Sequence, residues 1–160
     1  MAVINAYKLS TSIKSQVKGG QVIAIAGNFE TVATDSAGSK YRLCRVGADY
    51  VAVEIWINND AIAGTDDVDL GLYEVLEAGG AVKDADCFLD GADISAGKAL
   101  GSEQNGLASL PIDEIGDTMA EQAGDTNQSP AMEYDLVLTS NNAVTGAGTI
   151  GVRAILVKSA

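Results

Sequence analysis

The chain has 160 residues, room for one domain with a buried core of its own, since a domain of this size hides roughly 68–70% of its unfolded surface. It carries 10 Lys+Arg against 22 Asp+Glu, a net charge of −12, and no His. The acidic balance argues against a general nucleic-acid binder, and the missing imidazole removes Ser-His-Asp and Cys-His catalysis, His-ligated zinc and imidazole proton shuttling from consideration.

Residues 1–20 hold Lys8, Lys14 and Lys18 but no acid, and they end at Gly19-Gly20, a flexible pair that marks a boundary. They read as an extended N-terminal arm ahead of a domain over residues 21–160. The longest apolar run, Val22-Ile23-Ala24-Ile25-Ala26, is far short of the ~20 residues that span a bilayer, and no basic-then-apolar leader precedes it. The expectation is a protein made and kept in a cytoplasm, with no membrane partner.

From Gln21 onward, alternation with period two dominates, as in strands with one buried face. Weak strands are predicted over residues 21–26 and 30–34, and a firmer one over Tyr41-Arg42-Leu43-Cys44-Arg45-Val46. The next is the clearest. There Val51, Val53, Ile55 and Ile57 share one face, Ala52, Glu54 and Trp56 share the other, and Asn58-Asn59-Asp60 supplies turn residues. Val68, Leu70 and Leu72 alternate with Asp69, Gly71 and Tyr73 in the strand after it.

One segment looks helical, residues 111–122. Pro111 suits a first helical position, and Ile112, Ile115 and Met119 share a face. It sits in a polar excursion over about residues 101–130, long enough to reach for a partner or ligand. Near the end, Met132, Tyr134, Leu136 and Leu138 alternate with Glu133, Asp135, Val137 and Thr139. After Asn141-Asn142 comes a run with Ile150, Val152, Ala154 and Leu156 on one side, so the two segments read as a closing hairpin. At least seven short strands between turns predict an all-β protein: an antiparallel β-sandwich or jelly-roll-like domain with one short helix in a long loop.

No motif survives its context as a catalytic, cofactor or metal site. Gly146-Ala-Gly148-Thr-Ile-Gly151 spells G-x-G-x-x-G, yet it leads into the β-type run Val152-Arg153-Ala154-Ile155-Leu156-Val157 instead of the helix whose amides would hold a pyrophosphate. Asp84, Asp86, Asp90 and Asp93 crowd one stretch and Asp66, Asp67 and Asp69 another, but neither forms a complete calcium loop, and both read as acidic turns on a solvated rim. Paired carboxylates doing glycosidase work find few aromatics to line a sugar cleft. Cys44 and Cys87 form no Cys-x-x-Cys pair and read as buried small hydrophobes, reduced in a cytoplasm. Trp56, the lone tryptophan, is either an outward interface anchor or part of a second buried layer.

Charge is unevenly spread. Residues 1–46 carry six cations against two acids, a net of +4, which leaves −16 on residues 47–160. The candidate interface residues are therefore Lys8, Lys14 and Lys18, which would dock the arm on an acidic neighbour, together with Trp56.

The runs Gly38-Ser39-Lys40-Tyr41-Arg42-Leu43-Cys44-Arg45-Val46, Asn59-Asp60-Ala61, Asp67-Val68-Asp69-Leu70-Gly71-Leu72-Tyr73 and Gly79-Gly80-Ala81-Val82-Lys83-Asp84-Ala85-Asp86-Cys87-Phe88 resemble a pattern in small structural proteins of tailed bacteriophages. Tyr134-Asp135-Leu136-Val137-Leu138-Thr139 and Gly148-Thr149-Ile150-Gly151-Val152-Arg153 extend the resemblance, which covers about residues 38–157. It implies a non-enzymatic head-decoration protein that stabilises the phage capsid by binding the outside of the major capsid protein shell. It also implies a homo-oligomer, with a trimer favoured, assembled in the host bacterial cytoplasm and lodged on the virion surface. Cys44 and Cys87 depart from the apolar or aromatic residues usual there. A tail-tube or head–tail joining protein is the rival within the virion, and a carbohydrate-binding β-sandwich module is the rival outside it.

Overall fold

Alternating side chains build two sheets whose apolar faces meet. The computed structural model describes residues 3–4, 13–17, 20–126, 129 and 131–159, with side chains from residue 21 onward. Its strands are β1 (Val3–Ile4), β2 (Ile13–Val17), β3 (Gly20–Thr31), β4 (Ser39–Gly47), β5 (Tyr50–Asn59), β6 (Val68–Glu74), β7 (Val82–Ala92), β8 (Gln104–Asn105), β9 (Glu133–Ser140) and β10 (Gly148–Lys158). Sheet I is ordered β1-β4-β9-β6-β7 and sheet II β2-β3-β10-β5-β8. All pairings are antiparallel except β1 with β4. The protein is a β-sandwich, as the alternation predicts. No helix among the described residues is long and apolar enough to cross a membrane.

The core lies between the sheets. Ile23, Ile25 and Phe29 of β3, Ile55 and Ile57 of β5, Leu70 and Leu72 of β6, Tyr134, Leu136 and Leu138 of β9, and the inward residues of β10 form one buried cluster. Two bulges adjust which residues enter it, because an extra residue in one strand flips the facing of the residues beyond it. On β4 the register with β9 slips between Arg42 and Cys44, so both Leu43 and Cys44 are buried in the core cluster. On β5 the register with β10 slips at Val53: Ala52 packs against the core while Val53 is 51% exposed. The predicted face of Val51, Val53, Ile55 and Ile57 therefore holds only for Ile55 and Ile57: beyond the bulge Ala52, predicted on the other face, turns to the core beside Leu156, and Val51 pairs with Val157 on the outward side.

Three further expectations are corrected. The segments predicted at 21–26 and 30–34 are one continuous strand, β3, which ends at Thr31. The expected closing hairpin does not exist: β9 pairs with β4 and β6 in sheet I, whereas β10 pairs with β3 and β5 in sheet II. The connection crosses between the layers, held where Ser140 Oγ donates to the Gly64 carbonyl at 3.2 Å. Finally, the helix predicted over 111–122 shrinks to α1 (Met119–Gln122). Gly116, at φ +104°, interrupts the helix in a left-handed conformation. Helix α1 instead starts at its own capping box, in which Thr118 and Glu121 exchange side-chain-to-backbone hydrogen bonds.

The excursion between β7 and β9 seals one side of the sandwich. Asn105 of β8 pairs with Trp56, the Gly106 amide donates to the Ile55 carbonyl at 2.8 Å and that of Ser109 to Phe88 at 3.1 Å, so the segment passes from β5 across to β7. It returns through a bridge between Thr118 and Val51 and an Ala120 amide bonded to Ala48 at 3.1 Å. The polar edge of β5 is covered in this way. On the opposite side β3 and β4 approach each other, with the Phe29 and Tyr41 rings 4.9 Å apart, and β1 and β2 extend β4 and β3 there.

Leu136→Ala should lower unfolding stability by ~2–5 kcal/mol in denaturant titration, because it empties a fully buried site. Val53→Thr, at the exposed bulge, should stay within about 0.5 kcal/mol. A second expectation concerns acid. Asp125 accepts from Tyr134 Oη at 2.6 Å and pairs with Lys83 Nζ at 3.2 Å, tying the end of α1 to the sheets. The Tyr134 hydrogen bond, followed by those from Lys83, holds the Asp125 carboxyl below its ordinary value. A depressed carboxylate adds stability that is present above its unfolded value of about 3.9 and fades as pH falls through the folded one. Amide-exchange protection over residues 119–126, taken relative to the intrinsic rate at each pH, should therefore fall on acidification below about pH 4, and Asp125→Asn should flatten that dependence.

Candidate interaction surface

The outward faces of the two sheets differ sharply. That of sheet I is covered. The β7 ladder slips against β6 between the Leu70–Leu89 and Leu72–Asp84 pairs, and the surplus residues of β7 fold over the sheet. Gly71 makes room for them, since a Cβ there would collide with the backbone of Asp84 and Ala85. Beneath this cover Tyr73, Val137, Thr139, Arg42 and Asp135 are buried, although they point away from the core. Arg42 Nη1 lies 2.6 Å from Asp135 Oδ2 and donates to the Glu74 carbonyl at 2.8 Å, while Nη2 donates to Gly80 at 2.9 Å. Gly80, at φ +67°, is glycine for two reasons: its backbone is left-handed, and a Cβ would press on Arg42 Nη2.

Among the described residues nothing covers the outward face of sheet II. Ala26 of β3, Arg153 of β10 and Trp56 of β5 lie in one cross-strand row, and Ala24, Ile155 and Glu54 in the next. The two alanines are short beside Trp56, Arg153 and Ile155, which leaves a trough of about 340 Å³ lined by these six residues together with Ile25 and Ala154. Trp56 is half-buried there. Its Nε1 donates to Glu54 Oε2 at 3.3 Å. Arg153 reaches Glu103 at 3.0 Å, and Glu103, hydrogen-bonded by backbone amides with Arg153 nearby, is held below the usual carboxylate range. An aromatic body with satisfied polar groups around it suits recognition by shape.

The acidic rims make their own hydrogen bonds. Asn141 Nδ2 donates to Asp67 and Asp69, each at 2.9 Å, and Asn142 Nδ2 to Asp66 at 3.3 Å. Asp93 accepts from the Ser95 amide and hydroxyl, and Asp84 lifts the Asp86 carboxyl above its ordinary value through a shared hydrogen bond. Among the described residues no three His, Cys, Asp or Glu side chains converge as metal ligands. The glycines of the G-x-G-x-x-G string abut Ala63, Ile62 and Asn58 and lead into β10, so no helix N-terminus exists there for a phosphate.

Of the interface residues predicted from sequence, Trp56 stands on this bare face. Lys8 and Lys18 lie outside the described residues, and Lys14 is in β2, in register with Ile23. Arg153, Ile155, Ala24 and Ala26 were not singled out by sequence reading. Each occupies a polar-side position of an alternating strand, and only the pairing of β3, β10 and β5 brings them together. Ile112 and Ile115, predicted to share a helix face with Met119, are 87% and 67% exposed while Met119 is buried, so the three do not share a face.

No family model and no curated protein matches this chain. Among solved structures it is similar to a chain of the cyanophage Pam1 capsid asymmetric unit, with a TM-score of 0.55 and 12% identity, covering 99% of this chain and 99% of that one. The likeness is one of fold, end to end. A chain of the capsid of Ralstonia phage GP4 aligns with a TM-score of 0.49 at 12% identity, over 86% of this chain and 85% of that one.

Cys44 and Cys87 are free thiols, the first buried and the second half-buried. Burial, with Asp135 nearby, pushes the Cys44 thiol up to about 12, and burial beside Asp84 raises Cys87 as well. Neither is a thiolate at neutral pH, so both should react slowly with iodoacetamide in the folded protein and quickly in denaturant. Intact mass should report two alkylated sites after unfolding without reductant.

Proposed function

We propose that the chain is a non-enzymatic structural protein of a bacteriophage virion, which binds the outer surface of the capsid shell and stabilises it as a homo-oligomer. The observation that carries this reading is the end-to-end fold likeness to a chain of a phage capsid asymmetric unit. The distribution of surfaces supports it. A decoration protein works through area and shape, and a stable interface needs about 800 Å² from each partner. Sheet I is closed by its own β7, so the bare face of sheet II, centred on Trp56, is the one offered to the shell.

The acidic body then faces solvent, where like charge keeps particles from adhering to one another. No cofactor, metal or nucleic acid enters this function. Assembly in the host bacterial cytoplasm fits two thiols that need no oxidant.

Gold-labelled antibody against the protein should decorate phage heads. Label confined to tails would favour a tail-tube or head–tail joining role instead, and a mobility shift with polysaccharides would point to a sugar-binding module. Trp56→Ala should weaken retention on purified heads by roughly 30-fold or more, the loss expected of an aromatic anchor. Its melting temperature should fall far less than that of Leu136→Ala.

A further inference from the structure

We infer that the tip of the long excursion on one copy of this chain docks on the basic N-terminal segment, residues 1–20, of a second copy. Ile112 and Ile115 are 87% and 67% exposed, on a tip that also carries Asp113, Glu114 and Asp117. Two large aliphatics held in water beside three acids fit a partner that is itself apolar and basic. The tip is also pre-shaped. The Glu114 amide donates to the Pro111 carbonyl at 3.1 Å and that of Asp117 to Glu114 at 3.0 Å, and Gln122 Nε2 donates to the Glu114 carbonyl at 3.2 Å. Leu110 packs on the core at one root and the Thr118 capping box fixes the other, so little ordering remains for binding to impose.

The occupant follows from charge. Residues 47–160 carry −16, so two bodies repel each other, and the basic part of a second copy is residues 1–46 at +4. Within it, residues 1–20 hold three lysines, no acid and the aliphatics Val3, Ile4, Ile13 and Val17. Placement decides between contact within one copy and contact between two. The excursion lies along β5 and β7, whereas β1 and β2 join β4 and β3 on the opposite side of the sandwich. The described strands of the segment, β1 and β2, thus lie away from the tip of their own copy, and a head-to-tail contact between copies would bring tip and segment together. Such a contact is heterologous and closes into a ring when its rotation permits.

This contact is independent of shell binding and is tested without shells. Sedimentation of the purified full-length protein over a concentration series should show self-association that weakens with added salt. Ile112→Ser with Ile115→Ser should raise the dissociation constant about tenfold or more while leaving the melting temperature unchanged. Asp113→Lys with Glu114→Lys should abolish association, as should Lys8→Glu with Lys18→Glu, and mixing these two charge-reversed proteins should restore it. A protein that stays monomeric at every concentration, association that survives the tip variants, or charge-reversed proteins that do not associate on mixing would overturn the assignment. Tip variants that associate normally but fall off heads would instead give the tip to the shell.

Discussion

A guanidinium with no access to water must find acceptors, and much of this sandwich is arranged around that demand. Arg42 and Asp135 are 2% and 0% exposed, on an outward face of a sheet where charges would ordinarily meet solvent. Glu74 and Gly80, at the two ends of the turn that joins β6 to β7, lend their carbonyls to the same guanidinium. Arg45 approaches the other oxygen of Asp135 at 3.3 Å, and Tyr73 lies under Arg42. An ion pair of this kind contributes little net stability, because desolvation offsets most of its attraction. Its consequence is geometric. The turn is fastened to the middle of sheet I, and β7 is led back over the sheet, so one of the two faces is withdrawn from any partner.

The contrast between the faces then comes from the residues that line them. A two-layer sandwich has four edges and two outward faces, and every bare edge invites pairing with another chain. Here the excursion covers β5 while β1 and β2 extend β4 and β3, so uncontrolled strand addition is limited on both sides. The surface left open is sheet II, where alanines beside Trp56, Arg153 and Ile155 make a trough instead of a flat face. With the outward face of sheet I covered, the outward face of sheet II is the open one of the two. A structural subunit that must seat in one orientation gains from this, because alternative seatings find covered or acidic surfaces.

Much of the layering was legible in the sequence because burial on one face imposes a period of two. Leu70, Leu72, Leu136, Leu138, Ile150 and Leu156 all point where the alternation puts them. The failures have local physical causes. A bulge depends on the partner strand, so nothing within residues 50–59 announces that Val53 turns outward. Asn141-Asn142 has the composition of a hairpin turn, yet whether a chain doubles back or crosses to the other layer is decided by which edge is vacant. The helical pattern of Ile112, Ile115 and Met119 was real as spacing, but Gly116 breaks it and the capping box at Thr118 starts the helix well after the proline. The surface around Trp56 was half legible. Its outward facing could be read from β5, whereas Arg153, Ala24 and Ala26 become its neighbours only through cross-strand register.

At 12% identity to the chain of the Pam1 capsid asymmetric unit, the shared property is the arrangement of layers, which many different inward residues satisfy as long as the alternation holds. Outward residues are under no such constraint. Whatever this chain recognises is therefore written on positions the fold leaves free: Trp56, Arg153 and Ile155 on the bare sheet, the isoleucines and acids of the excursion tip, and the lysines at the N-terminus. These positions differ in chemistry as well as place. The sheet face is apolar with one cation and one carboxylate, Arg153 and Glu54, the tip apolar and acidic, and the N-terminal segment apolar and basic. Tip and segment complement each other while the sheet face complements neither strongly, so contact between copies and contact with a separate surface need not compete. The two proposed contacts therefore draw on different residues, and either can form without the other.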